Sequence, residues 1–360
     1  MKKSIRIKLV GFWENFNPDN NIIFQIIKRH FNVEYVDDDP DYIFCSCIGN
    51  YEYYEYCKYP QIRIMYSGEN YIPDFNLIDY AISSYPVIFL DRHFRLPEFV
   101  QGRTQLSLNL EKKEKSYDKS FLSKKEYFAN FICSHESEFN IRGDFFKKLS
   151  EYKRIESCGT YLNNMENGFV VNQNEKLQFQ KKCKFTLCFE STSHDGFITE
   201  KIIDAFAADT IPVYYGSRDI DTIFNKEAFI NCLDYDNFDQ VIAKIIELDN
   251  DDEKYLKMLN KPVFVKSNYV SETLQGLEEF LFNIFNQSKK VAFRRSLVYS
   301  AGEHNDYLIK CNRLIDEDNL KRSLNKSGNS NITKRLKGKL SKFKFYQILS
   351  RIKNRIIDSK

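Results

Sequence analysis

Residues 184–217 read KFTLCFESTSHDGFITEKIIDAFAADTIPVYYGS, and the order of elements in this stretch decides the fold. Phe185 to Phe189 is an apolar run of strand length bounded by charge, and Ser191 to Gly196 form a polar loop. From Thr199 onward the apolar residues Ile202, Ile203, Ala205 and Phe206 recur at helical spacing, which predicts a helix with Thr199 as its N-cap. A second apolar strand, Ile211 to Tyr215, ends at Gly216. In a strand, loop, helix, strand unit of this kind a ligand sits beyond the carboxyl ends of the strands, at the helix N-terminus. There the free backbone N–H groups and the helix dipole favour an anion, and Lys201 adds a full positive charge. That is equipment for a diphosphate, although Glu200 and Lys201 also fit an ordinary polar first turn. The chain carries neither a Gly-rich P-loop nor a GxGxxG, so a nucleotide would be held by charge and helix terminus.

Working outward, the 360-residue chain is long enough for two domains, each with its own core. Aromatic residues at 15% and charged residues at 29% mark a globular chain and exclude a disordered one. The abundance of Lys, Asn, Ile, Phe and Tyr points to an AT-rich, bacterial genome. A signal peptide or membrane span needs a longer apolar run than Ile5 to Val10 provides, so the expected location is the cytoplasm. Nine scattered cysteines agree with a reducing compartment. Cys45 and Cys47 form a C-x-C that no second pair or nearby His completes into a zinc site.

In the first half, strand-like runs at Ile5–Val10, Val33–Val36, Tyr42–Cys47, Ile62–Tyr66 and Val87–Leu90 accompany a helix pattern at Ile22–His30, predicting a mainly parallel sheet covered by helices. Ser67-Gly68-Glu69-Asn70 then falls just past the carboxyl end of a strand, where an open α/β sheet carries its reactive groups, which makes Glu69 a candidate. A lysine- and serine-rich stretch, Glu111 to Lys125, reads as an interdomain linker. Strands at Tyr127–Cys133, Arg154–Cys158, Phe185–Phe189 and Ile211–Tyr215 follow, with helices near Arg142–Tyr152, Thr199–Ala207 and Phe238–Leu248. A further helix pattern, Leu274–Phe285, is expected to cross back to the first domain. The expectation is α/β of the GT-B type: two Rossmann-like domains, residues 1–125 and 126–322, facing across a cleft, followed by a tail, residues 323–360.

The run from Phe185 to Gly216 resembles the donor-site signature of the α-1,3-fucosyltransferases, glycosyltransferase family ten, especially its bacterial members. A second, separate resemblance runs from Met65-Tyr66-Ser67-Gly68-Glu69-Asn70 through Pro73, Phe75-Asn76-Leu77 and Asp79-Tyr80-Ala81 to Asp91-Arg92 and Arg95-Leu96-Pro97. The resemblance implies the GT-B fold and a single inverting displacement from GDP-β-L-fucose to a sugar hydroxyl. It implies Glu69 as general base, with Arg142, Glu190, Ser191, Phe197, Thr199, Glu200 and Lys201 at the donor. A guanidinium at Arg142 can meet two phosphate oxygens at once, and Arg142, Lys201 and the helix terminus would stabilise charge growing on departing GDP. No DxD-type motif follows Phe189, and no metal or other cofactor is expected. Two positions depart from the family pattern: Ser191 stands where Asn is usual, and Phe197 where Tyr is usual. His194 stands where relatives have no histidine and reads as a loop residue.

Residues 331–360 hold ten Lys or Arg against one acid, so the basic character of the chain is confined to its end. Leu336, Leu340, Phe343, Tyr346, Leu349, Ile352 and Ile356 recur every three or four residues, giving an apolar stripe flanked by cations. This predicts an amphipathic helix lying on an anionic membrane, on the inner face of the cytoplasmic membrane, in preference to a nucleic-acid-binding arm. The leading functional expectation is an α-1,3-fucosyltransferase making Lewis-type branches on surface glycans such as the lipopolysaccharide O-antigen, with N-acetyllactosamine as a model acceptor. Alternatives are a same-fold enzyme using another nucleotide sugar, and a non-enzymatic glycan- or nucleic-acid-binding protein. The tyrosines at 51, 53, 54, 56 and 59 are candidates for stacking on acceptor sugars or for core positions.

Overall fold

Apolar runs flanked by turn residues become two parallel sheets in the computed structural model, which describes residues 2–47, 54–172 and 175–326. The first sheet contains β1 (Lys3–Val10), β2 (Phe31–Tyr35), β3 (Tyr42–Cys45), β4 (Ile62–Ser67), β5 (Tyr80–Ser83) and β6 (His93–Arg95). The second contains β7 (Tyr127–Phe131), β8 (Ile155–Ser157), β9 (Cys183–Phe189), β10 (Ile211–Tyr215) and β11 (Ile230–Asn231). The orders are β2-β1-β3-β4-β5-β6 and β11-β10-β9-β7-β8, and the pairings are parallel. Read from each domain's own first strand, the orders are 2-1-3-4-5-6 and 2-1-3-4-5, with a switch point between β1 and β3 and another between β7 and β9.

Helices cover both faces. They are α1 (Ile22–His30), α2 (Glu98–Gly102), α3 (Thr104–Glu111), α4 (Lys119–Leu122), α5 (Ile141–Ser150), α6 (Lys176–Lys181), α7 (Glu200–Ala207), α8 (Phe238–Asn250), α9 (Asp252–Leu259), α10 (Tyr269–Asn286), α11 (Lys289–Ala292) and α12 (Tyr299–Lys326). Because the sheets are covered on both sides, the central strands are buried without alternation: every residue of β3, β4 and β5 is buried. Asn21 caps α1 by accepting from the Ile23 amide, and Ile23, Phe24, Ile26 and Ile27 form the buried stripe.

Two features tie the domains together. Ile202, Ile203 and Phe206 of α7, in the second domain, belong to the same apolar core as Phe99 and Val100 of α2 and Ile64 and Ile82 of the first sheet. Helix α10 then returns to the first domain, where Phe285 packs on Phe31 and Tyr42. The Glu111 carboxylate at the end of α3 accepts the amides of Val270 and Ser271, so it caps α10 where the chain crosses back. The closing segment thus shares a core with residues 1–111 although it follows the second domain in sequence. Its far end is pinned by Arg295, whose buried guanidinium meets buried Asp79.

One expected strand is absent. Val87–Leu90 is a loop, with Ile88 94% and Leu90 84% exposed and Leu90 at φ 51°. The strand lies earlier, at β5, and the loop is built by side chains: Phe75 stacks on Phe89 at 4.5 Å, and Arg92 donates to the carbonyls of Phe75, Ile78 and Asp79. The amphipathic tail expected at residues 331–360 lies outside the described residues, as do Tyr51 and Tyr53. Tyr56 is a core residue, and Tyr54 and Tyr59 are half-buried. The nine cysteines are free thiols, with Cys45 buried and Cys47 half-buried.

Candidate active site

The second domain's switch point is spanned by one side chain. Arg142, near the start of α5, is 5% exposed and donates to Phe189 O at the end of β9 (Nε 3.1 Å, Nη2 2.7 Å) and to His135 O in the loop after β7 (Nη1 2.8 Å). A guanidinium has five N–H groups, and these contacts use three among the described residues. Arg142 therefore staples the two strand ends while keeping donors on both terminal nitrogens. The chain enters α5 through two consecutive left-handed residues, Phe139 (φ 59°) and Asn140 (φ 57°).

Glu190 follows β9 and is 1% exposed. Its Oε1 accepts from the Thr199 amide (2.8 Å) and hydroxyl (3.0 Å), and its Oε2 from the Thr199 hydroxyl (2.8 Å) and Lys201 Nζ (3.0 Å). Glu190, expected at the donor, has both oxygens engaged beneath the helix terminus, where they fix Thr199 and Lys201. Thr199 stands at the N-cap position, but its hydroxyl makes no cap hydrogen bond to α7. Lys201 also lies 3.6 Å from Glu200. Burial alone would lower the Lys201 pKa, yet Glu190 and Glu200 outweigh it and hold the ammonium well above its ordinary value. Burial pushes Glu200 up, but Lys201 and Lys176 prevail and keep it below the usual carboxylate range. An anion at this terminus thus meets a permanently charged ammonium.

The loop between Glu190 and Thr199 is shaped by the end of β10. Ser193 Oγ donates to Gly216 O (2.7 Å), and the Gly196 amide is shared by Ser217 Oγ (2.7 Å) and Asp219 Oδ1 (2.9 Å). Ser191 is exposed at the loop's start, and Phe197 is buried, 7% exposed. His194 is an exposed loop residue. Gly196 has φ 83°, and a Cβ there would stand 2.4 Å from Ser84 O, so only glycine lets the loop dock against the first domain. Arg95 of β6 completes the junction by pairing with Asp219 (2.5 Å).

Glu69 stands on the other side. It follows β4 in a turn whose amide donates to Ser67 Oγ (3.1 Å), and its side chain is exposed. Gly68 abuts Gln101 of α2, and the same short helix reaches α7: the Phe99 amide donates to Ile198 O (3.3 Å), and Arg103 pairs with Asp204 (2.9 Å). Helix α2 is thus the strut between the turn carrying Glu69 and the helix carrying Glu200 and Lys201. Sequence reasoning did not find Glu98, Asp219 or Arg95 as site residues. Arg95-Leu96-Pro97 lay within the recognised motif, and a Pro followed by Glu is a helix-start signal that could have drawn attention to Glu98. Among the described residues no group of three or more His, Cys, Asp or Glu is arranged to hold a metal ion, and no helix is long and apolar enough to cross a membrane.

Two Rossmann-like domains meeting through the carboxyl-end loops of their sheets, with an ammonium at a helix terminus on one side and a carboxylate on the other, make up the GT-B arrangement of glycosyltransferases. Two family models match this chain: Alpha-(1,3)-fucosyltransferase FucT N-terminal domain over residues 7–101, and Glycosyltransferase family 10 (fucosyltransferase) C-term over residues 122–273. The chain belongs to glycosyltransferase family 10. Alpha-(1,3)-fucosyltransferase FucT of Helicobacter pylori is 29% identical over 348 residues, which cover 86% of this chain and 69% of that protein. A crystal structure of an alpha1,3-fucosyltransferase superposes with a TM-score of 0.64 at 25% identity, covering 77% of this chain and 91% of that one. A crystal structure of an alpha1,3-fucosyltransferase with GDP gives 0.62 at 25% identity over the same shares.

Proposed function

We propose that the protein transfers L-fucose from GDP-β-L-fucose, with inversion, to a hydroxyl of an N-acetylglucosamine-containing glycan, forming an α-1,3 linkage of the Lewis type. The observation that carries this reading is the strut of α2, which joins the turn of Glu69 to the N-terminus of α7 with Lys201 in its first turn. Family membership and the solved relative with GDP support the donor.

In this reading the diphosphate lies at the start of α7, its charge met by Lys201, by the helix terminus and by the remaining Arg142 donors. Glu190, Arg95 and Asp219 hold these parts in place, and Glu200 and Ser191 are left to sugar and ribose hydroxyls. Glu69 takes the acceptor hydroxyl's proton as that oxygen attacks the anomeric carbon and the bond to GDP breaks on the opposite face. A general base of this kind contributes roughly 10²-fold or more, and each electrostatic contact to the departing group a few kcal/mol. Residues 331–360 are proposed to hold the enzyme on the inner face of the cytoplasmic membrane, near lipid-linked glycan acceptors, a reading that rests on their sequence pattern.

The test is incubation of the purified protein with N-acetyllactosamine and GDP-fucose, GDP-mannose or UDP-glucose in parallel, followed by mass spectrometry. A deoxyhexose adduct from GDP-fucose alone is expected. Transfer from another nucleotide sugar only would establish the same-fold alternative.

A further inference from the structure

Glu98 is a carboxylic acid that the proposed mechanism does not use, standing in the strut between the two halves of the site. Its Oε2 is out of reach of water and meets no hydrogen-bond partner among the described residues, and both polar atoms of the neighbouring Gln101 amide are in the same condition. Gly102 makes room for the side chain to fold back along α2: a Cβ there would stand 2.6 Å from Glu98 Oε1. The helix cannot easily draw away, because Phe99 and Arg103 bind it to Ile198 and Asp204 on either side of the first turn of α7.

The titratable groups around Glu98 come from four elements. The end of β9 contributes Glu190, α7 contributes Glu200 and Lys201, β4 contributes Tyr66, and Arg103 follows α2 itself. Three carboxyl groups thus converge on the Lys201 ammonium, of which Glu190 already holds one contact at 3.0 Å and Glu200 another at 3.6 Å, while the nearby cations Arg103 and Lys176 are both paired with Asp204. A third negative charge would face cations already engaged by Glu190, Glu200 and Asp204. Burial first, then repulsion from Glu200 and Glu190, push the Glu98 carboxyl up to about 8, against the pull of Lys201 and the Glu200 amide.

We propose, resting on the donor assignment above, that Glu98 is a positioning residue that works in its neutral form. Uncharged, it lets α2 lie on the N-terminus of α7 and leaves Lys201 to the donor's diphosphate. Ionised, it competes for Lys201 and repels the incoming phosphates. Binding of a nucleoside diphosphate is therefore coupled to proton uptake: one proton passes from solvent to the Glu98 carboxylate, and no other bond changes. At alkaline pH that proton must be acquired before the diphosphate is held, so affinity falls as pH rises.

Calorimetric titration of GDP into the full chain and into Glu98→Gln, at pH 7.5, 8.5 and 9.5 and in two buffers of different ionisation heat, tests this. Wild type should take up roughly half a proton or more per GDP at pH 8.5, and the wild-type to variant Kd ratio should rise about tenfold from pH 7.5 to 9.5. GDP's own titration is common to both proteins and leaves that ratio unchanged. GDP binding without proton uptake by wild type, or with a constant ratio, overturns the role of Glu98. If Glu98→Gln does not fold, Glu98→Ala takes its place in the same ratio, and absence of proton uptake by wild type overturns the role by itself. Failure of both proteins to bind GDP at any pH would instead remove the donor assignment, and this inference with it.

Discussion

Replacing Lys201 by methionine removes the cation proposed to meet the donor's diphosphate at the terminus of α7, and it also strands Glu190. The Lys201–Glu190 contact is 3.0 Å long, with side chains 21% and 0% exposed. At an effective dielectric of about 20, two unit charges at that separation attract by about 5.5 kcal/mol, from which the desolvation of both ions must be subtracted. After Lys201→Met, Glu190 keeps its bonds from Thr199 but not its counter-ion, and a loss of about 3 kcal/mol of stability is expected. Glu190→Gln should cost less, about 1–2 kcal/mol, because Lys201 retains Glu200 beside it. In the double variant neither charge is left unpaired, so its cost should fall about 2 kcal/mol short of the sum. Urea unfolding of the four proteins at pH 7.5 measures this cycle, and GDP calorimetry on each separates the structural role from the binding one. Lys201→Met and the double variant should each lose at least tenfold in GDP affinity, whereas Glu190→Gln retains it more nearly. Additivity within 0.5 kcal/mol would refute the coupled pair. Wild-type affinity in the double variant would take Lys201 out of the diphosphate site.

The Gly196→Ala variant places a Cβ against Ser84 O at a positive φ, which should cost at least about 2 kcal/mol and lower kcat by opening the junction between the domains. Unfolding and transfer rates within error of wild type would show that the loop does not need this close approach. For pH dependence, the folded state holds the Glu98 proton up to about 8 while an ordinary glutamate loses it near 4.5, so stability falls as pH climbs through that window and then levels. The Glu98→Gln variant should therefore gain on wild type by about 4 kcal/mol between pH 5 and 8.5, and a constant difference would contradict the burial argument. Truncation after Asn325 should leave transfer to soluble acceptors intact and abolish sedimentation with anionic vesicles. Unchanged sedimentation would refute a membrane role for residues 331–360.

Most of the fold is legible in the sequence because parallel strands buried on both faces must be written as short apolar runs. The helices Ile22–His30 and Phe238–Asn250 are equally plain, since each buries one stripe and each has an Asn at its N-cap. Val87–Leu90 misleads for a physical reason. Ile88, Phe89 and Leu90 face solvent, with Phe89 held by Arg92 and Phe75, and a period-2 or apolar-run argument has no access to such contacts. Missing β5 and β6 follows from the same error, as Tyr80–Ser83 and His93–Arg95 are short and edged with polar residues. In the site, Thr199, Glu200 and Lys201 could be read because one helix start presents them together. Glu190 was recognised, but its burial beneath that start was not, because direction into or out of a cleft depends on the next layer. Glu98 acquires its environment from β9, α7 and β4, segments far apart in the chain, so nothing local announces it.

The most direct test of the central claim sets transfer beside donor binding in one residue. Single-turnover transfer of fucose from GDP-fucose to N-acetyllactosamine, with GDP affinity measured on the same preparations, should be compared for wild type and Glu69→Gln. The account predicts that wild type forms the fucosylated product, and that the variant binds GDP with wild-type affinity while its transfer rate falls by about 10²-fold or more. A variant that retains more than about a tenth of the wild-type rate, or a wild type that forms no product, would contradict it.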